Sequence, residues 1–260
     1  MRRELKDRRA IVTGASSGIG FATALELARH GVHLVVVARR EDRLQRLVEQ
    51  VAPLGVRIEP IVGDMTDPQT RRRALDAAEE KLGGLDLLMN NAGVGALGPF
   101  VDASVDRARR VMEINFFATV EMTRLSLPAL RRGVRPIIVN VGSIVGRRGV
   151  PNRSEYSASK FAVCGFSEAI RAEFAPMGID VLLVNPGTTK TEFFEKELER
   201  SIDEKWPQHT AIGPDAVARQ VVRAIRLGRH EIIPYGWGRV LCWLNRLSPR
   251  LMDAVLAHYA

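Results

Sequence analysis

The chain has little of what places a protein in a membrane or in an oxidising compartment. It contains no stretch near the ~18 consecutive apolar residues that a membrane-spanning helix needs. Its basic start, MRRELKDRR, runs into a short strand-like segment instead of the apolar region of a secretory signal. The two cysteines, Cys164 and Cys242, have no paired spacing, which argues against a disulfide framework and a zinc site. We therefore expect a cytoplasmic protein without a bound metal.

A concentrated basic surface is also missing, although the formal net charge is +8. The arginines occur in scattered twos and threes, with no long basic run and no interleaved aromatic residues. Nucleic-acid-binding proteins cluster their positive charge on one face or segment. The pattern therefore predicts a solvated, arginine-rich surface and no nucleic-acid partner.

Short runs rich in Val and Ile alternate with longer segments of helical period. The expected strands are AIVTG (10–14), VHLVVVA (32–38), RIEPIVGD (57–64), LDLLMNNAG (85–93), RPIIVNVGS (135–143), IDVLLVNPG (179–187) and HEIIP (230–234). Strand–helix alternation implies parallel strands joined by crossovers, and continuous apolar strands fit a sheet covered on both faces. The sequence therefore predicts one α/β domain over residues 1–260, with a doubly wound parallel sheet of about seven strands and helices on both faces.

A glycine-rich turn, TGASSGIG, follows the first expected strand and opens the first helix. Its glycines permit a tight turn and a close approach of backbone N–H groups to a pyrophosphate, which the helix N-terminus attracts. Because the turn lies between a strand and a helix, it predicts a dinucleotide site. The residues of the turn assigned to this site are Gly14, Ser16, Ser17, Gly18, Ile19 and Gly20.

The end of the second strand, VVVARR, lacks the acidic residue that usually binds the ribose 2′-hydroxyl of NAD. Arg39 and Arg40 follow Ala38 there. A guanidinium can bind a phosphate bidentately and stack on a base, and no carboxylate at this point repels a 2′-phosphate. The sequence therefore predicts NADP(H) as the cofactor in preference to NAD(H), with Arg39 and Arg40 near the 2′-phosphate.

A tyrosine and a lysine stand four residues apart in EYSASKF (155–161), and this spacing places both side chains on one face of a helix. Two unit charges about 4 Å apart at an effective dielectric constant near 20 interact by roughly 4 kcal/mol, about three pKa units before desolvation is subtracted. Lys160 is thus expected to lower the pKa of Tyr156 and make it a general acid and base. A packed tyrosine beside a surface lysine is the alternative, which Ser143 at the end of an upstream strand disfavours.

Five motifs now stand in order along the strand–helix pattern. They are TGASSGIG (13–20), NNAG (90–93), Ser143 after a strand, YSASK (156–160) and PG (186–187). With them the chain resembles the shorter branch of the short-chain dehydrogenase/reductase family, from about Asp7 to Pro234. The resemblance implies a Rossmann-like fold and an oxidoreductase that uses a nicotinamide cofactor.

The resemblance also implies roles for individual residues. The implied catalytic set is Asn115, Ser143, Tyr156 and Lys160. In it Tyr156 exchanges a proton with the substrate oxygen, Ser143 holds that oxygen, Lys160 anchors nicotinamide ribose hydroxyls, and Asn115 positions a water linking Lys160 to solvent. The cofactor contacts implied besides Tyr156, Lys160 and the glycine turn are Asp64 and Met65 near the adenine, Asn91, Ala92 and Gly93 near its ribose, and Pro186, Gly187, Thr188 and Thr191 near the carboxamide and phosphates.

Residues 188–214 form the expected substrate lid, a charged segment that contains Phe193, Phe194 and Trp206. Its aromatic side chains either fold over an apolar substrate or pack the segment onto the core, and both readings stay open. Arg147 and Arg148, which closely follow Ser143, are either solvated loop charges or contacts for an anionic substrate group.

Residues 235–260 form an expected amphipathic helical tail, with Ser248 and Pro249 as the N-cap and first residue of its second helix. The apolar faces need a cover: their own subunit, a partner subunit or a membrane interface. All three remain open, so a homo-oligomer (dimer or tetramer) and a peripheral membrane contact are both expectations.

Taken together, the patterns predict an NADP(H)-dependent oxidoreductase that moves a hydride between nicotinamide and an apolar ketone or secondary alcohol. Its partner would be a small-molecule carbonyl or alcohol substrate. The alternative is a non-catalytic NADP-binding regulatory protein or a membrane-surface scaffold on the same fold. The complete set Asn115, Ser143, Tyr156 and Lys160 argues against it, because a sensor has no need of a tuned phenol.

Overall fold

A computed structural model of the protein describes residues 2–193, 197–202 and 211–258. The strands within these residues are β1 (Arg9–Thr13), β2 (His33–Ala38), β3 (Ile58–Val62), β4 (Leu87–Asn90), β5 (Ile137–Val141), β6 (Asp180–Val184) and β7 (Glu231–Ile232). They form one sheet in the order β3-β2-β1-β4-β5-β6-β7, with every neighbouring pair parallel. The doubly wound parallel sheet predicted from the sequence is confirmed.

Helices cover both faces of the sheet. They are α1 (Gly18–Arg29), α2 (Glu41–Val51), α3 (Pro68–Leu82), α4 (Val105–Met112), α5 (Ala118–Arg131), α6 (Ser154–Phe174), α7 (Pro214–Leu227), α8 (Gly236–Leu247) and α9 (Pro249–Ala257). Side chains alternate along a strand, so Val36 of β2 packs in the core with α1, α2 and α7, whereas its neighbour Val35 packs with α3, α5 and α6. Of the helices in the described residues, none is long and apolar enough to cross a bilayer.

Local signals in the sequence explain where several helices begin and end. The carboxylate of Asp67 accepts hydrogen bonds from the backbone N–H groups of Gln69 (3.0 Å) and Thr70 (3.1 Å), which caps α3. Gly83 ends the same helix in the left-handed conformation, with φ of +84°. The tail forms the two expected helices, although the side chain of Ser248 makes no capping hydrogen bond to α9.

The long helical pattern over 104–132 is interrupted in the structure. A π-helical turn, Glu113–Phe117, separates α4 from α5. The side chain of Asn115, in this turn, bonds to the backbone N–H and C=O of Val94, and its own carbonyl accepts a bond from Thr119 Oγ1 (3.1 Å). These contacts widen one turn, and such turns often mark functional sites. Sequence periodicity averages over many residues and does not register one widened turn.

The strand order reverses between β1 and β4, because the chain first winds outward to β3 and then crosses back. In open parallel sheets ligands bind in the crevice at the carboxyl ends of the strands at such a point. The glycine turn after β1, the NNAG segment after β4, Ser143 after β5 and the PG segment after β6 all leave the sheet at this edge.

Candidate active site

A cleft of about 340 Å³ opens at the carboxyl edge of the sheet. It brings together nearly every site residue expected from the sequence. Those that line it are Gly14, Ser16, Ser17, Gly18, Ile19, Arg39, Arg40, Asp64, Met65, Asn91, Ala92, Gly93, Ser143, Tyr156, Lys160, Pro186, Gly187, Thr188 and Thr191. Gly20 and Asn115 lie behind this lining.

The glycine turn has the backbone shape that a phosphate cradle needs. Gly14 and Gly18 have φ of +67° and +57°, a region that residues with a side chain rarely adopt. A Cβ atom added to Gly20 would lie 2.4 Å from the carbonyl oxygen of Gly14, so Gly20 permits the close packing of helix and turn. Asn91 Nδ2 supports the turn from below by donating to the carbonyl oxygens of Thr13 (2.9 Å) and Gly14 (3.2 Å). The residues present therefore fit a bound pyrophosphate.

The two arginines after β2 have different surroundings. Arg39 is 65% exposed, with its guanidinium 3.5 Å from a carboxylate oxygen of Asp64 at the rim of the cleft. Arg40 Nη2 donates to Ser16 Oγ (3.0 Å) and Ser17 Oγ (2.7 Å), and its Nη1 pairs with Glu192 (2.7 Å). Arg39 is therefore the more accessible cation for a phosphate group. Arg40 instead joins the glycine turn to the segment after β6 through Glu192, a residue that sequence reasoning did not find.

Tyr156 lies on α6 with its side chain buried and its ring 5.7 Å, between centroids, from that of Phe193. Burial raises the pKa of Tyr156 to about 12, although a hydrogen bond with the Ser143 side chain acts in the opposite direction. Lys160 Nζ is 5.8 Å from the centroid of the Tyr156 ring. The expected lowering of this pKa toward neutrality is therefore wrong for the chain by itself, because desolvation of the phenolate outweighs the lowering effects of Ser143 and Arg153.

Lys160 lies one turn further along α6 and is also buried. Burial lowers its pKa to about 8. An ammonium has three N–H donors, and among the described residues the acceptor bonded to Nζ is the carbonyl oxygen of Val141, at 2.9 Å. A buried cation with donors to spare at the cleft wall fits the hydroxyl groups of a cofactor ribose, which would satisfy them.

Asn115 is buried behind Gly93 rather than exposed to the cleft. Its Oδ1 accepts from the backbone N–H of Val94 (2.8 Å), and its Nδ2 donates to Ser159 Oγ (2.9 Å). A Cβ atom at Gly93 would lie 3.0 Å from Asn115 Oδ1 and 3.6 Å from Lys160 Nζ, so the three residues are close neighbours. Its expected role in positioning a water for Lys160 stays a prediction.

The arginines that follow Ser143 are bound by carboxylates. Arg147 pairs with Glu231 (2.8 Å) and Glu168 (2.6 Å). Arg148 bonds to Asn245 Oδ1 (3.0 Å) and pairs with Asp253 of α9. The solvated loop charge considered from the sequence therefore does not describe them, whereas Arg148 also lines the cleft, so its contact with an anionic substrate group stays a prediction. Their acidic partners lie 21 to 105 residues away in the chain, and local patterns do not reveal such pairs.

The substrate side of the cleft includes residues that sequence reasoning missed. Leu241 of the tail helix α8 lines it, and so does Arg153, which directly precedes α6 and pairs with Glu197. Phe193 from the expected lid contacts Tyr156, whereas Phe194 and Trp206 lie outside the described residues. Arg153 could have been assigned to the site from its position three residues before Tyr156, whereas no pattern in the sequence around Glu197 indicates a place in the site.

The profile of the short chain dehydrogenase family matches residues 8–201. The chain belongs to this family. The resemblance seen in the motifs is thus confirmed. Short-chain dehydrogenases are oxidoreductases. A relative from Sesamum indicum, 11-beta-hydroxysteroid dehydrogenase A, is 34% identical over 256 residues, which are 94% of this chain and 73% of that protein.

Solved short-chain dehydrogenases have the same fold. One from Burkholderia phymatum, in complex with NAD, matches with a TM-score of 0.87 and 25% identity, covering 96% of both chains. One from Burkholderia cenocepacia J2315, in complex with NADP, matches with a TM-score of 0.78 and 29% identity, covering 89% of this chain and 97% of that one. Relatives of this short-chain dehydrogenase thus bind either nicotinamide cofactor, and the likeness alone does not choose between them.

Proposed function

We propose that this short-chain dehydrogenase is an NADP(H)-dependent oxidoreductase acting on an apolar ketone or secondary alcohol. The observation that carries the proposal is that Ser143, Tyr156 and Lys160 line the same cleft as the glycine turn and the exposed Arg39. When bound, the cofactor supplies the hydride and, in its oxidised form, a positive charge. The chain's own residues hold the substrate oxygen and exchange its proton.

Tyr156 is the proton donor and acceptor in this proposal. Its pKa of about 12 keeps the phenol protonated at neutral pH, which suits donation to a carbonyl oxygen during reduction. Ser143, which lines the cleft together with Tyr156, binds the same substrate oxygen in this proposal. Lys160, with its spare N–H donors, orients the cofactor ribose. Oxidation of an alcohol needs the phenolate, so it requires added positive charge near Tyr156 to lower the pKa.

The substrate side of the cleft favours an uncharged, apolar molecule. Its apolar lining consists of Val94, Leu97, Ile144, Val145, Val150, Phe193, Ile202 and Leu241. Arg148 and Arg153, which also line the cleft, are both paired with carboxylates. The name of the Sesamum indicum relative, a hydroxysteroid dehydrogenase, supports the same class of substrate.

A panel assay tests the proposed reaction. NADPH absorbance is followed with steroid, aliphatic and quinone carbonyls, each beside an analogue that carries a carboxylate. We expect turnover of uncharged members of the panel, with KM higher for the carboxylated analogues because a charge would enter an apolar cleft unpaired. Turnover confined to the carboxylated compounds would contradict the apolar substrate class. A purified chain that binds NADPH yet turns over no member would support the non-catalytic alternative.

Arg39→Ala is expected to raise KM for NADPH about 10–100-fold and to leave KM for NADH within about twofold. The reason is that a hydrogen bond to a charged group contributes about 1.5–3 kcal/mol, and only NADP carries the 2′-phosphate that Arg39 would contact. Steady-state kinetics with both cofactors measure the change.

Arg46→Ala is the control for this substitution, because Arg46 is an exposed arginine on α2 outside the cleft lining. We expect its KM values to match those of the unmodified protein. If Arg39→Ala changed KM for NADH as much as KM for NADPH, Arg39 would not read the 2′-phosphate.

We also propose a peripheral contact of the tail with an anionic lipid surface. Met252 and Leu256 of α9 are buried in their own subunit, but Trp237, Trp243 and Leu247 are 65%, 61% and 63% exposed. The exposed charges beside them include Arg239, Arg246 and Arg250. Apolar aromatic and aliphatic side chains flanked by arginines are typical of helices that lie at a membrane interface. The positive charges of these arginines would repel a second copy of the same surface.

Replacing both Trp243 and Leu247 with Glu is expected to lower binding to anionic vesicles at least about tenfold, since two large apolar side chains no longer enter the interface. Vesicle pelleting measures this, with neutral vesicles expected to bind more weakly. Met177→Glu changes an exposed apolar residue outside the tail and is the matched control. If the double substitution instead altered the mass in light scattering without altering pelleting, the tail would be an interface between subunits. The homo-oligomer expected from the sequence stays a prediction that the same light-scattering measurement tests.

A further inference from the structure

Residues 197–202 are attached to the loop that follows β4, on the substrate side of the cleft. The backbone N–H of Leu198 donates to the carbonyl oxygen of Gly95 (2.8 Å), and that of Ser201 donates to the carbonyl oxygen of Leu97 (3.2 Å). Leu198 and Ala96 form an isolated parallel bridge. Ile202 at the end of the segment lines the cleft. The segment is therefore closed over the cleft by strand-like pairing.

A buried ion pair joins this segment to the catalytic helix. The carboxylate of Glu197 pairs with Arg153, and the two side chains are 0% and 7% exposed. A Cβ atom at Gly95 would lie 2.7 Å from Glu197 Oε1, so the absence of a side chain at Gly95 lets the carboxylate pass inward. Arg153 is fixed by the start of α6, three residues before Tyr156. Glu197 belongs to the attached segment.

The energetic consequence follows from burial. Breaking a buried ion pair from one side is strongly destabilising, because a charge is left without its partner in a medium of low dielectric constant. Lifting residues 197–202 from the loop would separate Glu197 from Arg153, and the loss of this buried pairing would raise the free energy of the open state. The pair therefore resists opening of the segment more strongly than its two backbone hydrogen bonds do alone.

We propose that Arg153 and Glu197 form a latch that holds residues 197–202 closed over the substrate side of the cleft. Both are positioning residues: paired, they close the segment against the loop after β4, and separated, they release it. The latch itself does not depend on the proposed reaction. Its kinetic consequence does, because it rests on Tyr156 acting as the proton donor.

The same pair acts electrostatically on Tyr156. Burial and the hydrogen bond with Ser143 are the larger influences on its pKa, and Lys160 Nζ lies 5.8 Å from its ring. Arg153 lowers the pKa of Tyr156 and Glu197 raises it, so the paired charges oppose each other. Removing the charge of Glu197 alone leaves the effect of Arg153, and the pKa of Tyr156 then falls.

Hydrogen–deuterium exchange of the full chain tests the latch without any substrate. In Glu197→Gln the amides of Leu198 and Ser201 are expected to exchange about tenfold or more faster, since the closed segment loses its charge pair. Glu199→Gln is the matched control. Glu199 lies on the same segment and bonds to the backbone N–H of Ser104 (3.1 Å), but it is exposed, so an increase of about twofold or less is expected.

Replacing both charged residues of the pair distinguishes a latch from a general loss of structure. In the variant with both Arg153→Met and Glu197→Met, both charges of the buried pair are removed together, and the two amides should return to within about threefold of the unmodified protein. Thermal unfolding establishes that each variant is folded. Equal exchange in Glu197→Gln and Glu199→Gln would overturn the latch. So would a double variant that exchanges as fast as Arg153→Met alone, a comparison that stands even if Glu197→Gln does not fold.

Kinetics supply the second test. Glu197→Gln is expected to raise KM for the carbonyl substrate and to move the basic limb of the pH profile for reduction to lower pH, because a phenol of lower pKa loses its proton sooner. Glu199→Gln should leave the profile in place. A basic limb that does not move, or moves to higher pH, would contradict the electrostatic role. Absence of turnover in the unmodified protein would refute the proposed function and leave the exchange result intact, so the two failures are distinguishable.

Discussion

Tyr156→Phe is expected to lower kcat about 10²–10⁴-fold, the contribution that a well-placed general acid or base makes. The substitution removes one hydroxyl and keeps the ring that packs against Phe193. Ser143 would still bind the substrate oxygen, but no side chain would donate the proton at that point. Single-turnover reduction followed by NADPH absorbance measures the loss of the chemical step directly.

Two measurements on the same variant serve as its control. NADPH binding is expected to stay within about tenfold, because the glycine turn, Arg39 and Lys160 are unchanged and a lost hydrogen bond contributes only about 0.5–1.5 kcal/mol. Thermal unfolding should change little for the same reason. Full turnover in Tyr156→Phe would end the proposal that this phenol handles the proton. Loss of NADPH binding in parallel would show that the side chain mainly supports the cofactor site.

Arg107→Met is expected to lower the free energy of unfolding by about 3–5 kcal/mol, the usual cost of removing one partner of a buried ion pair. Arg107 of α4 is 1% exposed, and its guanidinium binds both carboxylate oxygens of Glu155 at 2.9 and 3.1 Å. Glu155 immediately precedes Tyr156, so the pair fastens α4 to the start of the catalytic helix. The melting temperature should fall by about 6–20 °C, at about 2–4 °C for each kcal/mol.

An exposed pair on the same helix provides the control. Arg109 and Asp106 are 74% and 80% exposed and 3.6 Å apart, so Arg109→Met should cost less than about 0.5 kcal/mol. Combining Arg107→Met with Glu155→Met should recover much of the stability, since no charge is then buried alone. A melting temperature for Arg107→Met that equals that of Arg109→Met would show that the buried pair contributes no stability.

The difference in stability between the unmodified protein and Arg107→Met is expected to depend on pH. Burial raises the pKa of Glu155, but its hydrogen bonds, including those from Arg107, outweigh burial and hold the pKa below its ordinary value. A carboxyl whose pKa is lowered by folding stabilises the folded state above its unfolded pKa of about 4.3. The gap in stability between the unmodified protein and Arg107→Met should therefore be full at neutral pH and shrink as the pH falls through the acidic range.

Most of the fold could be predicted from the sequence because its signals are local and repeated. The seven expected strands each appear with ends within three residues of the expected ones, and the four motif-bearing loops meet at one edge because parallel strands share a direction. The candidate site followed from the same geometry: a glycine turn after β1 and a serine after β5 must face one crevice. Gly20, expected to bind the cofactor, and Asn115, expected in the catalytic set, lie behind the cleft lining, and their roles stay predictions.

What the sequence could not predict depends on distant contacts and on burial. Arg153 and Glu197 are separated by 44 positions, and arginine and glutamate are usually exposed, so the sequence does not indicate that these two form a buried pair. The direction of the Tyr156 pKa shift was wrong for a related reason. A charge beside a phenol is visible in the spacing of YSASK, but the desolvation that exceeds it depends on Phe193 and the rest of the cleft wall, which only the folded chain brings together.

The tail joins the catalytic loop through the short contact between Gly238 and Ile144. A Cβ atom at Gly238 would lie 2.9 Å from Ile144 Cγ2, and Ile144 is bonded in sequence to Ser143. Arg148 holds the same loop to Asn245 and Asp253 on the two tail helices. The substrate cleft and helix α8 of the tail thus share one wall, so a displacement of α8 would also move Ile144, the residue next to Ser143.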